Sequence, residues 1–411
     1  MKIKNIFLTL AVAVASSACS DWFDVSPKTD IKTDDLFKDE TGFQSALTGC
    51  YGNMTKDKTY GKNLTWYFLE KLVQRYDDGS APFAGQSEHV YDYTNANYSK
   101  GIITDIWNSM YETIANVNNL IARLDKNGQE VITTPGSWEL MKGEALALRA
   151  FLHFDLLRMY GPVYKEDPEK ECIPYRKEFK PETSPLLSAS KVLELVLADL
   201  KEADTYLAQD SVNWGNDAEN PFKAYRGHRM NKYAAKALQA RVLLYRGGSE
   251  DLAEAGRIAK EVIGQCGLKL VRDNFQDIAM FDETLFALHM DDMEDRLESY
   301  FNVSAADDGS ALWITPTNAE GAFEVTSSVG RNDIRYKFGY GLYNGGTKGL
   351  MCRKYLPTQN YVYKENLPLI RLGDVILMLA EAYNELGETD KAIAEVNKIR
   401  ARVRMPELNS G

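Results

Sequence analysis

The chain has 411 residues, a formal net charge of −11 and 44% hydrophobic residues. This length suffices for one large domain or two ordinary ones, and the hydrophobic content is that of a globular protein. The acidic balance argues against nucleic-acid binding, because contacts to phosphates need clustered lysine and arginine.

The chain begins with the features of an export signal. Lys2 and Lys4 precede a short apolar run, and small residues then lead directly into Cys19. The run is shorter than the roughly 20 residues that span a bilayer, so we expect residues 1–18 to be removed. Small residues directly before a cysteine resemble a bacterial lipoprotein signal, which predicts that Cys19 is the lipidated mature N-terminus. A plain secreted protein with an incidental cysteine is the alternative.

Two helices are predicted in the first third of the mature chain. Thr41 and Gln44 have the spacing of a capping box at the start of the first helix. The second helix, over residues 107–124, repeats apolar residues at helical spacing. Both helices should bury one face in a common core.

Two further helices are predicted over residues 143–160 and 188–207. Gly161 and Pro162 end the first of them. His153 lies on the apolar face of that helix, so we interpret it as a core or capping histidine and not as a metal ligand.

The C-terminal stretch "LMLAEAYNELGETDKAIAEVNKIR" has the spacing of a tetratricopeptide repeat. Small residues such as Ala380 would allow two antiparallel helices to pack closely. A looser copy occupies residues 231–263. Together these patterns predict a mostly α fold: a tetratricopeptide-repeat-like scaffold of about eight helices in four pairs, forming one domain over 19–411.

Residues 265–365 interrupt this helical pattern. They are rich in glycine, tyrosine and turn residues, and "TLFALHM" could form a short strand. We expect a loop-rich insertion with a few short strands, where binding sites often lie.

Aromatic residues make up 11% of the chain, and several lie beside polar residues in predicted loops. Exposed rings offer large flat contact areas at a low entropy cost, which suits sugar binding. Core packing is the alternative for each of them. They are Trp66, Tyr67, Tyr91, Tyr93, Tyr98, Trp214, Tyr300 and Trp313.

The sequence contains no nucleophile motif, phosphate-binding loop or zinc-ligand spacing. Its paired carboxylates are expected by chance in a chain with 59 acidic residues. The stretch "DDGS" at Asp307 lacks the pattern of a calcium loop. We therefore predict no catalysis, no cofactor and no metal.

Several segments, in order, resemble the SusD/RagB family of Bacteroidetes outer-membrane lipoproteins. They include "ACSDWFDVSPKTD", "LFKDETGFQSALTGCYGNM", "IWNSMYETIANVNNLI", "GEALALRAFLHFDLLRMYGPV", "NKYAAKALQARVLLYRGG" and "LIRLGDVILMLAEAYNELGETDKAIAEVNKIRAR". The resemblance implies a lipid-anchored, cell-surface binding protein on a tetratricopeptide-repeat scaffold. Such proteins cover a SusC-like TonB-dependent transporter and capture glycans or, less often, peptides, without catalysis.

The resemblance also suggests where a ligand would bind. By position it points to Asp77 or Asp78, to the Tyr91, Tyr93 and Tyr98 stretch, and to Trp313. Tyr300 is a further candidate among the loop aromatics.

Family members usually continue past "KIRARVRMP", so the resemblance predicts that a C-terminal segment is missing here. Two alternatives remain for the function. One is a peptide-binding or scaffold lipoprotein of the same family, and the other is a surface glycan hydrolase.

Overall fold

The computed structural model describes residues 33–74, 76–77, 91–94, 99–272, 277, 280–301, 312–336, 342–344, 349–352 and 365–409. Helices dominate these residues, and eight helices have 14 or more residues. The helices are α1 (Thr33–Leu36), α2 (Glu40–Met54), α3 (Phe68–Leu72), α4 (Ser99–Arg123), α5 (Gln129–Val131), α6 (Ser137–Tyr160), α7 (Ala189–Leu207), α8 (Lys232–Arg246), α9 (Ser249–Gln265), α10 (Met293–Phe301), α11 (Pro316–Ala322), α12 (Leu372–Glu385) and α13 (Thr389–Arg402).

The strands of the described residues form three two-stranded antiparallel sheets. The pairs are β1 (Glu171–Ile173) with β2 (Leu187–Ser188), β3 (Thr284–His289) with β6 (Asn366–Arg371), and β4 (Leu342–Asn344) with β5 (Leu350–Cys352). Strand β3 confirms the strand predicted in "TLFALHM". In the β3–β6 ladder, Thr284 lies opposite Arg371 and His289 lies opposite Asn366.

The eight long helices pack in chain order, each against the next, as in a helical repeat protein. The predicted repeat pairs α8–α9 and α12–α13 are confirmed, and α6 packs on α7 and α2 on α4. Gly256 in α9 shows how closely neighbouring pairs approach, since a Cβ there would lie 3.5 Å from the Ala382 Cβ of α12. Small residues therefore lie where α9 packs against α12.

Helix α6 is buried on all sides over most of its length, because α4 and α7 cover it from two directions. A helix in this position must satisfy its polar side chains internally. Arg149 does so by donating to the Asp199 carboxylate of α7 at 2.6 and 2.9 Å. His153 is fully buried, as predicted, and contacts the Arg149 carbonyl at 2.8 Å through Nδ1.

The predicted capping box of α2 is wrong. The helix begins at Glu40, and the Asp39 carboxylate accepts a hydrogen bond from the Gly42 nitrogen at 2.9 Å. Gln44 instead contacts the Glu40 side chain. Gly42, whose nitrogen the cap binds, also packs closely on the end of α1, since a Cβ there would lie 1.6 Å from the Leu36 carbonyl oxygen.

The range 265–365 holds more regular structure than its composition suggests. Its described residues include β3, α10, α11, β4 and β5. Each of these elements is at most nine residues long, which is why no long periodic pattern marks them.

None of the helices in the described part of the chain combines the length and the apolarity that crossing a bilayer requires.

A candidate ligand-binding surface

Asp77 is connected to the Trp313 segment through three hydrogen bonds. Its backbone nitrogen donates to the Trp313 carbonyl at 3.0 Å. Its carboxylate accepts from the Thr315 nitrogen and, at 2.6 Å, from the Asn318 side-chain amide. Thr315 is the N-cap of α11, so Asp77 fastens the start of that helix to the segment that follows α3. The structure thus brings together two residues that lie 236 positions apart in the sequence.

Trp313 is partly buried. A Cβ built on Gly349 would lie 3.0 Å from Trp313 Cε3, so the ring packs beside the backbone that precedes β5. The neighbouring residue Ile314 forms a β-bridge with Leu350 of β5. The indole therefore helps to hold its own loop while part of its surface stays accessible.

Tyr91 and Tyr93 are the most exposed of the predicted ligand residues that the structure describes. They are 50% and 47% exposed, and their ring centroids lie 6.5 Å apart. Tyr91 has a φ of 53°, and its hydroxyl accepts a hydrogen bond from Gln74 Nε2 at 3.2 Å. Partial burial and the neighbouring Tyr91 raise the pKa of Tyr93 above its usual value. The pair offers two accessible ring faces at one point of the surface.

Tyr300, in α10, lies in an aromatic cluster. Its ring centroid is 5.1 Å from Trp66 and 5.2 Å from Tyr67, and its hydroxyl accepts from Lys62 Nζ at 2.8 Å. Its carbonyl accepts from the Leu312 nitrogen at 2.8 Å. Tyr300 thus positions the segment that carries Trp313.

Two of the loop aromatics are not surface groups. Trp66 and Tyr67 are only 3% and 9% exposed, so core packing, the alternative for each loop aromatic, holds for these two. They are buried because α10 packs over the segment before α3, where Phe301 contacts Trp66 at 5.8 Å between centroids.

Three predicted residues lie outside the described residues: Cys19, Asp78 and Tyr98.

A cavity of about 710 Å³ lies beside Tyr93, within the range usual for small-molecule sites. Its walls are mostly apolar and come from α3, α4 and α6. The described apolar lining includes Leu64, Phe68, Leu69, Leu72, Val73, Ile103, Ile106, Phe151, Met159 and Leu369.

A few polar groups converge on this cavity. Asp155 accepts from the Tyr60 hydroxyl at 2.7 Å and from Arg158 Nη1 at 3.3 Å. Arg241 also lines the cavity, and burial lowers its pKa despite the attraction of Asp374 and Asp155. Burial also raises the pKa of Tyr60, so its hydroxyl remains a neutral donor. These groups can exchange hydrogen bonds with a hydroxyl-rich molecule.

Sequence reasoning missed the cavity residues. The available signal was "FDLLR", in which Asp155 and Arg158 interrupt an apolar helix at a spacing of three residues. Nothing local marks Arg241, which the packing of α8 brings to the same place.

Comparison with protein families gives two matches. Residues 21–244 match a family described as starch-binding and associating with the outer membrane, and residues 291–411 match the family model described as the SusD family.

Two curated proteins of Formosa agariphila are similar over nearly the whole chain. The SusD-like protein P38 is 24% identical, with 100% of this chain and 84% of the relative aligned. The SusD-like protein P2 is 23% identical, with 98% of this chain and 82% of the relative aligned.

Solved structures share the fold at low identity. A SusD-like carbohydrate-binding protein from Bacteroides vulgatus superposes with a TM-score of 0.66 at 18% identity, over 92% of this chain and 77% of that one. Surface glycan-binding protein A from Bacteroides uniformis superposes with a TM-score of 0.65 at 18% identity, over 90% of this chain and 82% of that one.

Proposed function

This chain belongs to the SusD family, and on that premise we propose that it captures oligosaccharides at the outer membrane without converting them chemically. The family is described as starch-binding and associated with the outer membrane. We propose further that the chain is held there by lipid on Cys19 and passes its ligand to a SusC-like TonB-dependent transporter.

The observation that carries the proposal is the exposed tyrosine pair. Tyr91 and Tyr93 present accessible rings, and Tyr93 lines the cavity as well. The C–H faces of a sugar stack well on such rings, while its hydroxyls need hydrogen-bonding partners. Asp155, Arg158 and Tyr60 supply those partners in the cavity beside the pair. Trp313, on the loop held by Asp77, adds a further aromatic surface in the same part of the fold.

Calorimetric titration with a panel of oligosaccharides tests this proposal. Tyr93→Ala should weaken binding of a recognised oligosaccharide by about 1–3 kcal/mol, on the scale measured for ring stacking on nucleobases. The matched control is Phe179→Ala, which removes a ring that is 53% exposed in another segment of the chain. It should leave affinity unchanged. If Tyr93→Ala and Phe179→Ala have the same effect, the tyrosine pair is not the binding surface.

Trp313→Ala separates a ligand contact from a loop anchor. A ligand contact should lose affinity by about 1–3 kcal/mol while the melting temperature hardly changes. A loop anchor should lower the melting temperature, because the ring packs beside Gly349. Unchanged affinity for an oligosaccharide that the wild type binds would remove Trp313 from the site.

Two alternatives give different results in the same experiments. A peptide-binding protein would bind peptides and none of the oligosaccharides. A hydrolase would release shorter products from a recognised glycan, and the usual mechanism of glycoside hydrolysis needs two carboxyl groups. Asp155 is the only carboxylate in the described lining of the cavity. Analysis of products after prolonged incubation tests turnover directly.

A further inference from the structure

One end of the β3–β6 ladder gathers three side chains of the kinds that bind metals. His289, Asp291 and Glu365 place one possible ligand atom each within 4.8 Å of the others. We propose that these residues bind one divalent transition-metal ion, with zinc as the best match. This site is separate from the proposed glycan surface and does not depend on it.

The backbone of the ladder fixes the positions of His289 and Glu365 and brings Asp291 beside them. His289 is the last residue of β3 and lies opposite Asn366, the first residue of β6. The next pair is joined as well, because the Met290 nitrogen donates to the Glu365 carbonyl at 2.7 Å. Asp291 follows directly in the turn before α10. Residues from two distant parts of the chain are therefore held together by paired backbone and not by flexible loops.

The imidazole is held in the orientation that a metal ligand requires. His289 Nδ1 lies 3.3 Å from the side-chain oxygen of Asn366, and Asn366 is only 8% exposed. An amide oxygen can only accept, so Nδ1 donates to it, and Nε2 is the ring nitrogen left to bind a metal once the metal displaces its proton. Histidines that bind metals commonly donate their other ring nitrogen to a carbonyl or carboxylate in this way. His228 Nε2 contacts the same oxygen at 2.8 Å and helps to fix Asn366.

The other ring nitrogen, Nε2, faces the two carboxylates. His289 Nε2 lies 2.9 Å from Asp291 Oδ1 and 3.8 Å from Glu365 Oε2. Ligands bonded to zinc at about 2.0–2.1 Å with tetrahedral angles lie about 3.3 Å from one another. The two observed distances lie on either side of this value, so small side-chain rotations would complete three ligand positions. Water can take the fourth position, because all three side chains are at least 40% exposed.

The ligand set also decides the class of metal. Imidazole nitrogen with carboxylate oxygens suits zinc and its first-row neighbours. Calcium prefers six to eight oxygen ligands, and magnesium usually retains several waters in an octahedral shell. The competing interpretation is an ion pair between a protonated His289 and the two acids, which would need no metal.

Calorimetric titration with zinc chloride tests the site on the full chain, purified without a polyhistidine tag. We expect one zinc ion per chain, with a melting temperature that rises as zinc is added, because a ligand that binds the folded state stabilises it. His289→Gln, Asp291→Asn and Glu365→Gln should each weaken zinc binding at least tenfold. Calcium at the same concentration should not displace the zinc.

The control is Asp295→Asn, which removes an exposed acid from α10, next to the site but outside the ligand set. It should bind zinc like the wild type. The visible spectrum of the cobalt-substituted chain should show tetrahedral bands that His289→Gln abolishes. Absence of zinc binding in the wild type, or equal binding in His289→Gln and the wild type, would overturn the proposal. Equal weakening by Asp295→Asn would do the same, because it would indicate general attraction to an acidic surface.

Discussion

His153 shows at the level of one residue how burial determines chemistry. Its Nε2 accepts a hydrogen bond from the Arg176 nitrogen at 3.0 Å, and its ring stacks on Tyr175 with centroids 3.9 Å apart. Burial is the main reason that its pKa falls from 6.5 to about 3. The histidine therefore stays neutral in the folded protein at any ordinary pH and works as a structural connector.

This shift predicts a pH-dependent stability. The pKa of His153 is lower in the folded state than in the unfolded state. The contribution of the neutral imidazole to the free energy of unfolding is therefore fully present above about pH 6.5 and is lost as the pH falls toward about 3. Between pH 7 and 5, His153 should account for a loss of about 2 kcal/mol in the free energy of unfolding. Denaturant unfolding at several pH values should show a smaller loss for His153→Gln. Parallel curves for the two proteins would contradict the prediction.

A buried charge cluster provides a second example at this scale. Glu144 is fully buried and accepts hydrogen bonds from Tyr51, Arg226 and Arg229. Arg226 also donates to Asp210 at 2.9 Å. Burial lowers the pKa of Arg226, but the two carboxylates more than offset this effect and raise it. The cluster connects α2, α6 and the segment before α8, so it holds three parts of the scaffold together.

At the scale of a single element, the start of α2 depends on one side chain. The Asp39 carboxylate caps the helix, whereas the exposed Thr41 lies inside it. Asp39→Ala should therefore destabilise the protein by about 0.5–2 kcal/mol, the usual cost of losing an N-cap. Thr41→Ala is the matched control and should change the free energy of unfolding by less than about 0.5 kcal/mol. A larger effect for Thr41→Ala would restore the capping box that the sequence suggested.

The contact between α12 and its neighbours gives a second prediction for a single element. Ala380 is 4% exposed, so there is little room for a larger side chain. Ala380→Phe should cost roughly 1–3 kcal/mol or more, because overpacking displaces side chains and backbone. Leu377→Phe adds a ring on the same helix at a position that is 43% exposed and serves as the control. Equal melting temperatures for the wild type and Ala380→Phe would show that the helices do not approach closely there.

At the scale of the whole molecule, the N-terminal signal predicts how the chain is attached to the membrane. No helix of the described residues could span a bilayer, and the N-terminal signal predicts lipid on Cys19. Two or more acyl chains hold a protein stably on a membrane, each buried CH₂ contributing about 0.8 kcal/mol. Cys19→Ala should therefore move the protein from the membrane fraction to the soluble fraction.

Labelling with a fatty acid provides the control for this experiment. The wild type should carry label and the variant should carry none. If the unlabelled variant remains membrane-bound like the wild type, lipid on Cys19 is not what attaches the chain.

The helical scaffold could be predicted from the sequence by itself. Helix periodicity and repeat spacing are local, since each residue contacts others three or four positions away, so α6–α9, α12 and α13 were recognisable. The pattern nevertheless placed the start of α2 two residues late, because Asp39 caps the Gly42 nitrogen in place of Thr41.

Tertiary structure alone decided which loop aromatics are accessible. Trp66 and Tyr91 look alike in the sequence, but α10 covers the first and leaves the second exposed. The cavity and the candidate metal site also depend on distant pairings, such as His289 with Glu365 across the β3–β6 ladder. A side chain in a loop is buried or exposed by partners far along the chain, and a local pattern carries no information about them.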